Sequence, residues 1–183
     1  DATGGCSMNA WLALLRDLYL MRRGPSDAPY SPTALVVLFG IAMGLGVATN
    51  AVGAADPQTP VVLIAHVVEL VLLNALMTVK GHASRFVQTA ISELLAALPF
   101  AVSIHVVLSF IGPLPNPVTP DNVRPEHALL MPLVPLTFWW LGVRIRILSQ
   151  AIEVPPLRAF ALLTLLWIAK MVLLAPFVTA PIE

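Results

Sequence analysis

The sequence predicts an all-α, polytopic membrane helical bundle, with five transmembrane helices preceded by an interfacial amphipathic helix. Three observations carry that expectation. Of 183 residues, 58% are hydrophobic and only 11% charged, whereas a soluble domain carries roughly a quarter charged residues to cover its surface. Mean hydropathy is +0.86. Apolar segments at 31–53, 61–79, 86–111, 127–148 and 157–178 have the length a hydrocarbon core about 30 Å thick requires.

Composition also bounds function. Formal net charge is zero and no basic run marks a nucleic-acid footprint, so nucleic acid is not expected as a partner. Cys6 is the only cysteine, which leaves no internal disulfide. Residues 1–7 are small, polar and glycine-rich, and read as a remnant ahead of a natural start at Met8. Residues 8–28 then form a cytoplasmic amphipathic helix and linker, and 29–183 the membrane domain.

Within 11–23, Trp11, Leu14, Leu15 and Leu18 recur at helical spacing opposite Arg16, Asp17, Arg22 and Arg23. The segment is too short to span a bilayer. It is expected to lie in the interface, with Trp11 and Tyr19 at headgroup level. Gly24-Pro25 ends it, because proline cannot continue a helix. The first span carries Gly40, Gly44 and Gly46. Small residues four apart let helix backbones approach closely, so these glycines are expected on a packing face. Residues 54–59 make a short acidic turn before the second span, and a basic turn at 79–86 leads into the third.

Pro99 interrupts the third span and is expected to kink it. Prolines 113, 115, 117, 120 and 125 favour an extended external strap over 112–125. Prolines 132 and 135 distort the early turns of the fourth span. Arg16, Arg22, Arg23, Lys80, Arg85, Arg144, Arg146 and Arg158 fall on one side of the spans and Arg124 alone on the other. The positive-inside rule then places the amino terminus in the cytoplasm and the carboxyl terminus outside.

Ionisable groups in hydrocarbon cost about 2.5–3.5 kcal/mol each on insertion scales. Glu69 and Lys170 each lie about 12 Å below the external ends of their spans, so they share a layer and can pair. Gln88, Ser92 and Glu93 lie on a polar, small-residue stripe of the third span, which faces the bundle. Asn74 and Arg144 are expected at neighbouring depth. This stripe is read either as an interhelical hydrogen-bond network or as the wall of a cytoplasm-facing cavity. His66 and Glu69, three residues apart, could offer two metal ligands, with a third needed from elsewhere. No HExxH, paired CxxC, Ser/His/Asp pattern or glycine-rich phosphate loop is present, so no cofactor or metal is expected and an enzyme is disfavoured.

The layout of a cytoplasmic amino-terminal segment, five close spans and a short external tail resembles the Yip1 family of small membrane proteins. Gly81-His82-Ala83-Ser84-Arg85-Phe86-Val87-Gln88, Ala97-Leu98-Pro99-Phe100, Trp139-Trp140 and Gln150-Ala151 carry the likeness. The resemblance implies a non-enzymatic scaffold or adaptor in the bacterial inner membrane, working with a membrane-protein partner or by self-association. The amino-terminal region is shorter than in eukaryotic members, which act with Rab GTPases, and the proline strap departs from the family pattern. Two alternatives stand beside it: a small transporter or proton/ion conduit using Glu69, Glu93 and Lys170, and an intramembrane metal-dependent enzyme.

Overall fold

The computed structural model describes residues 8–54, 58–114 and 124–179. Six α-helices make up the fold: α1 (Met8–Tyr19), α2 (Pro32–Gly53), α3 (Thr59–Val79), α4 (Phe86–Ile111), α5 (Leu133–Ala151) and α6 (Pro156–Thr179). No strand occurs among the described residues. The helices from α2 onward are the five segments long and apolar enough to cross a membrane.

Local chemistry sets the helix ends. Ser31 caps α2, its Oγ accepting the Ala34 N–H at 3.2 Å, and Pro32 occupies the first helical position, where its missing N–H costs nothing. Past α3 the chain reverses at Gly81, where φ is +77° and glycine carries no Cβ penalty. The Gly81 and His82 N–H groups donate there to the Thr78 and Met77 carbonyls. The fourth span starts as a 3-10 helix over Pro125–Leu130 and becomes α-helical only at Leu133, as prolines 132 and 135 dictate. Pro99 is accommodated differently, for α4 runs through it as one helix. Much of the proline strap (115–123) and of the acidic turn (55–57), like residues 1–7 and the tail at 180–183, lies outside the described residues.

Helix adjacency gives the bundle its form. α2 packs on α3, α3 on α6, α6 on α5, α5 on α4 and α4 on α2, so the spans close into a ring, with a smaller contact between α3 and α4. Alternating directions gather Lys80, Arg85, Arg146 and Arg158 at one end, here called the basic end. Arg124 and the start of the strap lie at the other, the proline end.

Packing is concentrated in the basic half. One core cluster joins Leu73, Met77, Ala90, Leu148, Ala151, Ile152, Ala159 and Leu163. A second joins Leu14 and Leu18 of α1 to Ile91, Leu95 and Ala96 of α4 and Val143 and Ile147 of α5. The amphipathic helix is therefore docked into the bundle rather than laid beside it. Trp11 packs on this cluster and the Tyr19 hydroxyl is buried, so both rings meet protein. The apolar stripe of α1 finds protein side chains as its complement, and close contact there replaces contact with lipid.

The glycine expectation needs a sharper correction. A Cβ at Gly40 or Gly44 would meet nothing within 4 Å, so neither packs against this chain. Gly46 does: a Cβ there would come within 2.6 Å of His66 Cε1. Only the third of the three glycines lets α2 and α3 approach.

Candidate functional site

Four ionisable side chains from four helices meet inside the ring. Lys170 Nζ of α6 donates to Glu69 Oε2 of α3 at 2.7 Å. Arg144 of α5 donates from Nη2 to Glu69 Oε1 at 2.8 Å and from Nε to Glu93 Oε2 of α4 at 2.6 Å. The result is an alternating chain, Lys170–Glu69–Arg144–Glu93, with no net charge. Unpaired, four charges would cost about 10 kcal/mol or more on insertion scales, within the range of a whole fold's stability of about 5–15 kcal/mol. Mutual neutralisation removes most of that cost. Arginine suits the central place because its rigid fork of N–H donors serves two carboxylates at once.

An aromatic shelf supports the arginine. The Arg144 guanidinium carbon lies 5.0 Å from the centroid of Trp140. Trp140 stacks in turn on Phe100, with centroids 4.7 Å apart and planes inclined by 10°. Trp140 and Arg144 are four residues apart, which places them on one face of α5. That spacing was readable in the sequence, and it was the one signal for the shelf.

All four charged residues line a cavity of about 770 Å³, whose walls come from all five spans. Along α2 the lining runs from Phe39 to Asn50 and along α3 from Val62 to Leu73, about 16 Å of axial rise in each. The walls are mostly apolar and aromatic, and the charge chain crosses them as a polar seam. Glu69 keeps 39% of its side chain accessible against 10% for Glu93, as expected for a group on a cavity wall. At the basic end lies the packed cluster around Met77, Ala151 and Ala159, of which Leu73, Leu148 and Leu163 also line the cavity. Towards the proline end the lining reaches Asn50 and Ile104. The lining therefore occupies the middle of the bundle, reaching Asn50 and Val62 towards the proline end and Leu148 and Phe160 towards the basic end.

Two buried polar atoms on residues of this wall, Asn50 Oδ1 and Trp140 Nε1, have no hydrogen-bond partner among the described residues. Buried polar groups in folded proteins are nearly always satisfied, so these two are exceptions on the wall. Neither emerged from the sequence, because an Asn or Trp in an apolar span carries no spacing rule.

The remaining expected site residues divide. Glu69, Lys170, Glu93 and Arg144 come together as described. Asn74 does not join them, since it lies exposed on α3, where its carbonyl accepts from Thr78 Oγ1 at 2.9 Å. Its backbone carbonyl is in use, but the amide points away from the ring. Gln88 turns outward from the charge chain, its Nε2 donating to the Ala28 carbonyl at 2.8 Å and fastening the linker after α1. Ser92 Oγ donates to the Gln88 carbonyl of its own helix at 2.9 Å, and Thr89 and Ser103 do the same one turn back. The α4 hydroxyls are thus satisfied locally, which replaces the expected interhelical network. Of the stripe, Glu93 makes the crossing.

His66 lines the cavity, with Nδ1 donating to the Val62 carbonyl at 2.8 Å and the ring filling the notch at Gly46. Among the described residues no group of three His, Cys, Asp or Glu is placed to hold a metal ion. The third ligand that a His66–Glu69 site would need is not supplied. His105 Nδ1 lies 3.4 Å from Thr49 Oγ1 and links α4 to α2 instead. Comparison with protein-family models, curated proteins and solved structures finds no match, so the site rests on its own geometry.

Proposed function

We propose that this chain is an integral membrane protein that binds and passes a small solute or ion through its interior, as a small transporter or proton/ion conduit. One observation carries the reading: the charge chain lies on the wall of a large cavity instead of in a dry core. A scaffold has no need of such a void. The space is open to its surroundings, so water, lipid or solute can enter it. Its volume is that of a ligand site, and its apolar walls with a few convergent polar groups have the usual chemistry of one. Because each charge is already paired, an entering ion or zwitterion exchanges one partner for another at little net cost. Intramembrane ionisable residues with this geometry are the ordinary mark of ion or proton pathways.

Reconstituted vesicles test the reading. With a pH-sensitive dye inside, the protein should dissipate an imposed pH gradient, and Glu69→Gln should abolish that flux while the protein still folds. Flux equal to that of protein-free vesicles, for protons and for small cations and anions alike, would defeat it. The eight-to-one distribution of basic residues supports a cytoplasmic basic end, and the Yip1-like layout supports the bacterial inner membrane. A cysteine introduced at Ser84 in a Cys6→Ser background should be labelled from the cytoplasmic face alone.

A second reading, the Yip1-like scaffold or adaptor, is favoured by α2. Gly40 and Gly44 share an exposed face with Val36, Val37 and Ile41, and α2 buries none of its residues. Such a face suits a helix of a partner or a second copy. Gly44→Leu should then abolish co-purification or self-association in mild detergent. A chain that always runs alone would count against this role.

A further inference from the structure

The turn after α1 places a second group of charges on the outside of the bundle. The chain leaves α1 through Met21, whose φ of 55° is the left-handed conformation, and the Arg22 N–H then closes on the Asp17 carbonyl at 2.8 Å. Met21 packs at Gly142, where a Cβ would lie 3.2 Å from its Cε, and Gly24 meets the Gln150 side chain. Those two contacts fix the path. Both contacts are made on one face of α5, at Gly142 and at Gln150 two turns further on, and the Arg23 N–H also closes on the Asp17 carbonyl, at 3.3 Å. Arg22 and Arg23 are bracketed by these contacts, one on either side of the turn of α5 midway between Gly142 and Gln150. That turn carries Arg146.

All three arginines are exposed. Asp17, buried at 7% exposure, holds Arg16 at 2.9 Å and Arg23 at 3.1 Å and so anchors the segment. Two carboxylates, Asp17 and Asp27, whose Oδ2 accepts the Gly24 N–H at 2.9 Å, against four guanidiniums leave the patch net positive. Arg22 and Arg146 have no carboxylate partner among the described residues. An apolar flank adjoins this charge. Trp139 lies seven residues before Arg146, on the same face of α5 and about 10 Å nearer the middle of the bundle. Its Nε1 donates to the Tyr19 carbonyl at 3.1 Å, and its ring remains 45% exposed. Leu20 beside it is 48% exposed.

We propose that Arg22, Arg23 and Arg146 bind the phosphate of an anionic phospholipid, with its acyl chain running past Leu20 and Trp139. Guanidinium groups pair with phosphate oxygens through paired N–H donors. A soluble phosphate would need only the arginines, whereas the apolar strip continuing from them matches a lipid. Arg146 lies about 7–8 Å inside the basic end of α5, a depth at which a phosphate at the membrane surface can be met. The site lies outside the ring and does not depend on the transport reading.

Nanodiscs of phosphatidylcholine titrated with phosphatidylglycerol test the assignment, with retained lipid counted by native mass spectrometry and Tm read in parallel. Phosphatidylglycerol should be retained and should raise Tm. Arg146→Gln should weaken its retention about fivefold, and R22Q/R23Q/R146Q on the order of a hundredfold. Arg158→Gln, an exposed basic residue at the same end on another turn, should leave retention unchanged. If the triple variant does not fold, Arg146→Gln alone decides. Equal losses in Arg146→Gln and Arg158→Gln would overturn the site, because they would show only diffuse charge attraction. Sodium phosphate at matched ionic strength protecting as well as the lipid would also overturn it, in favour of a soluble anion.

Discussion

At the basic end Met77, Ala90, Leu148, Ala151 and Ala159 are each at or below 1% exposure, while further into the bundle the same helices part around a cavity of about 770 Å³. Both halves are built from the same apolar residue types, so composition does not distinguish them. Side-chain size and position do. Alanines at 90, 151 and 159 bring backbones close and let larger neighbours fill the gaps, as interior packing requires. Beyond that layer Phe100, Trp140 and Arg144 stack along the wall, and paired charges tie α3, α4 and α5 together across the space. One half provides rigidity and the other provides room.

The harshest way to break this contrast is to remove the arginine at its centre. Arg144→Ala leaves Glu93 without its ion-pair partner and Glu69 with Lys170 alone. Breaking an enclosed ion pair costs about 3–5 kcal/mol, which thermal unfolding in detergent would report. A loss below about 1 kcal/mol would show that cavity water solvates the carboxylates as bulk water does. The next test compares the two halves directly. Met77→Ala in the packed layer should cost about 2 kcal/mol, the low edge of the soluble range because lipid weakens the transfer term, and Ile104→Ala on the cavity wall well under half of that. Equal losses would mean that the cavity is closed in the working protein.

Glycines sharpen the comparison at smaller scale. Gly46→Ala pushes a methyl into a His66 ring that the Val62 carbonyl holds in place, and should destabilise by about 1–3 kcal/mol. Gly44→Ala enters open space and should gain up to about 1 kcal/mol from helix propensity. Matched unfolding curves would check both signs. The smallest effect lies at the surface of the basic end, where Arg85 Nη1 meets Glu153 Oε1 at 2.7 Å and joins two turns. The hydrogen bond and charge of Arg85 hold the Glu153 carboxyl below its usual range. A folded-state value below the unfolded one means that the pair stabilises above the ordinary glutamate pKa of about 4.3 and that the contribution fades as acid protonates Glu153. Glu153→Gln should therefore flatten a slight loss of Tm on acidification below about pH 5, and leave Tm at neutral pH nearly unchanged.

Much of the architecture was legible from residues alone. Helix count, order and approximate limits follow from apolar runs bounded by proline, glycine and charge, since a backbone in hydrocarbon has few alternatives to the helix. The Glu69–Lys170 pair was legible for the same reason, because equal depth and opposite charge leave few other solutions. Glu93 and Arg144 were legible as neighbours. That Arg144 joins both carboxylates was not, for it depends on the rotation of α5 about its own axis. The idle glycines at 40 and 44, the outward Asn74 and the docked α1 escaped for a related reason. Small, polar and amphipathic signatures name a face of a helix without saying what that face meets.

Sequence by itself determined which segments are helical spans, in what order they follow and which charges need neutralising, because each of these depends on rise per residue and on solvation. Tertiary structure alone decided that the long helices close into a ring, that the charges line a space and that a packed layer adjoins it at the basic end. Those outcomes depend on how each helix is turned about its axis. Among apolar surfaces of similar energy, only the fit of many side chains at once selects that rotation.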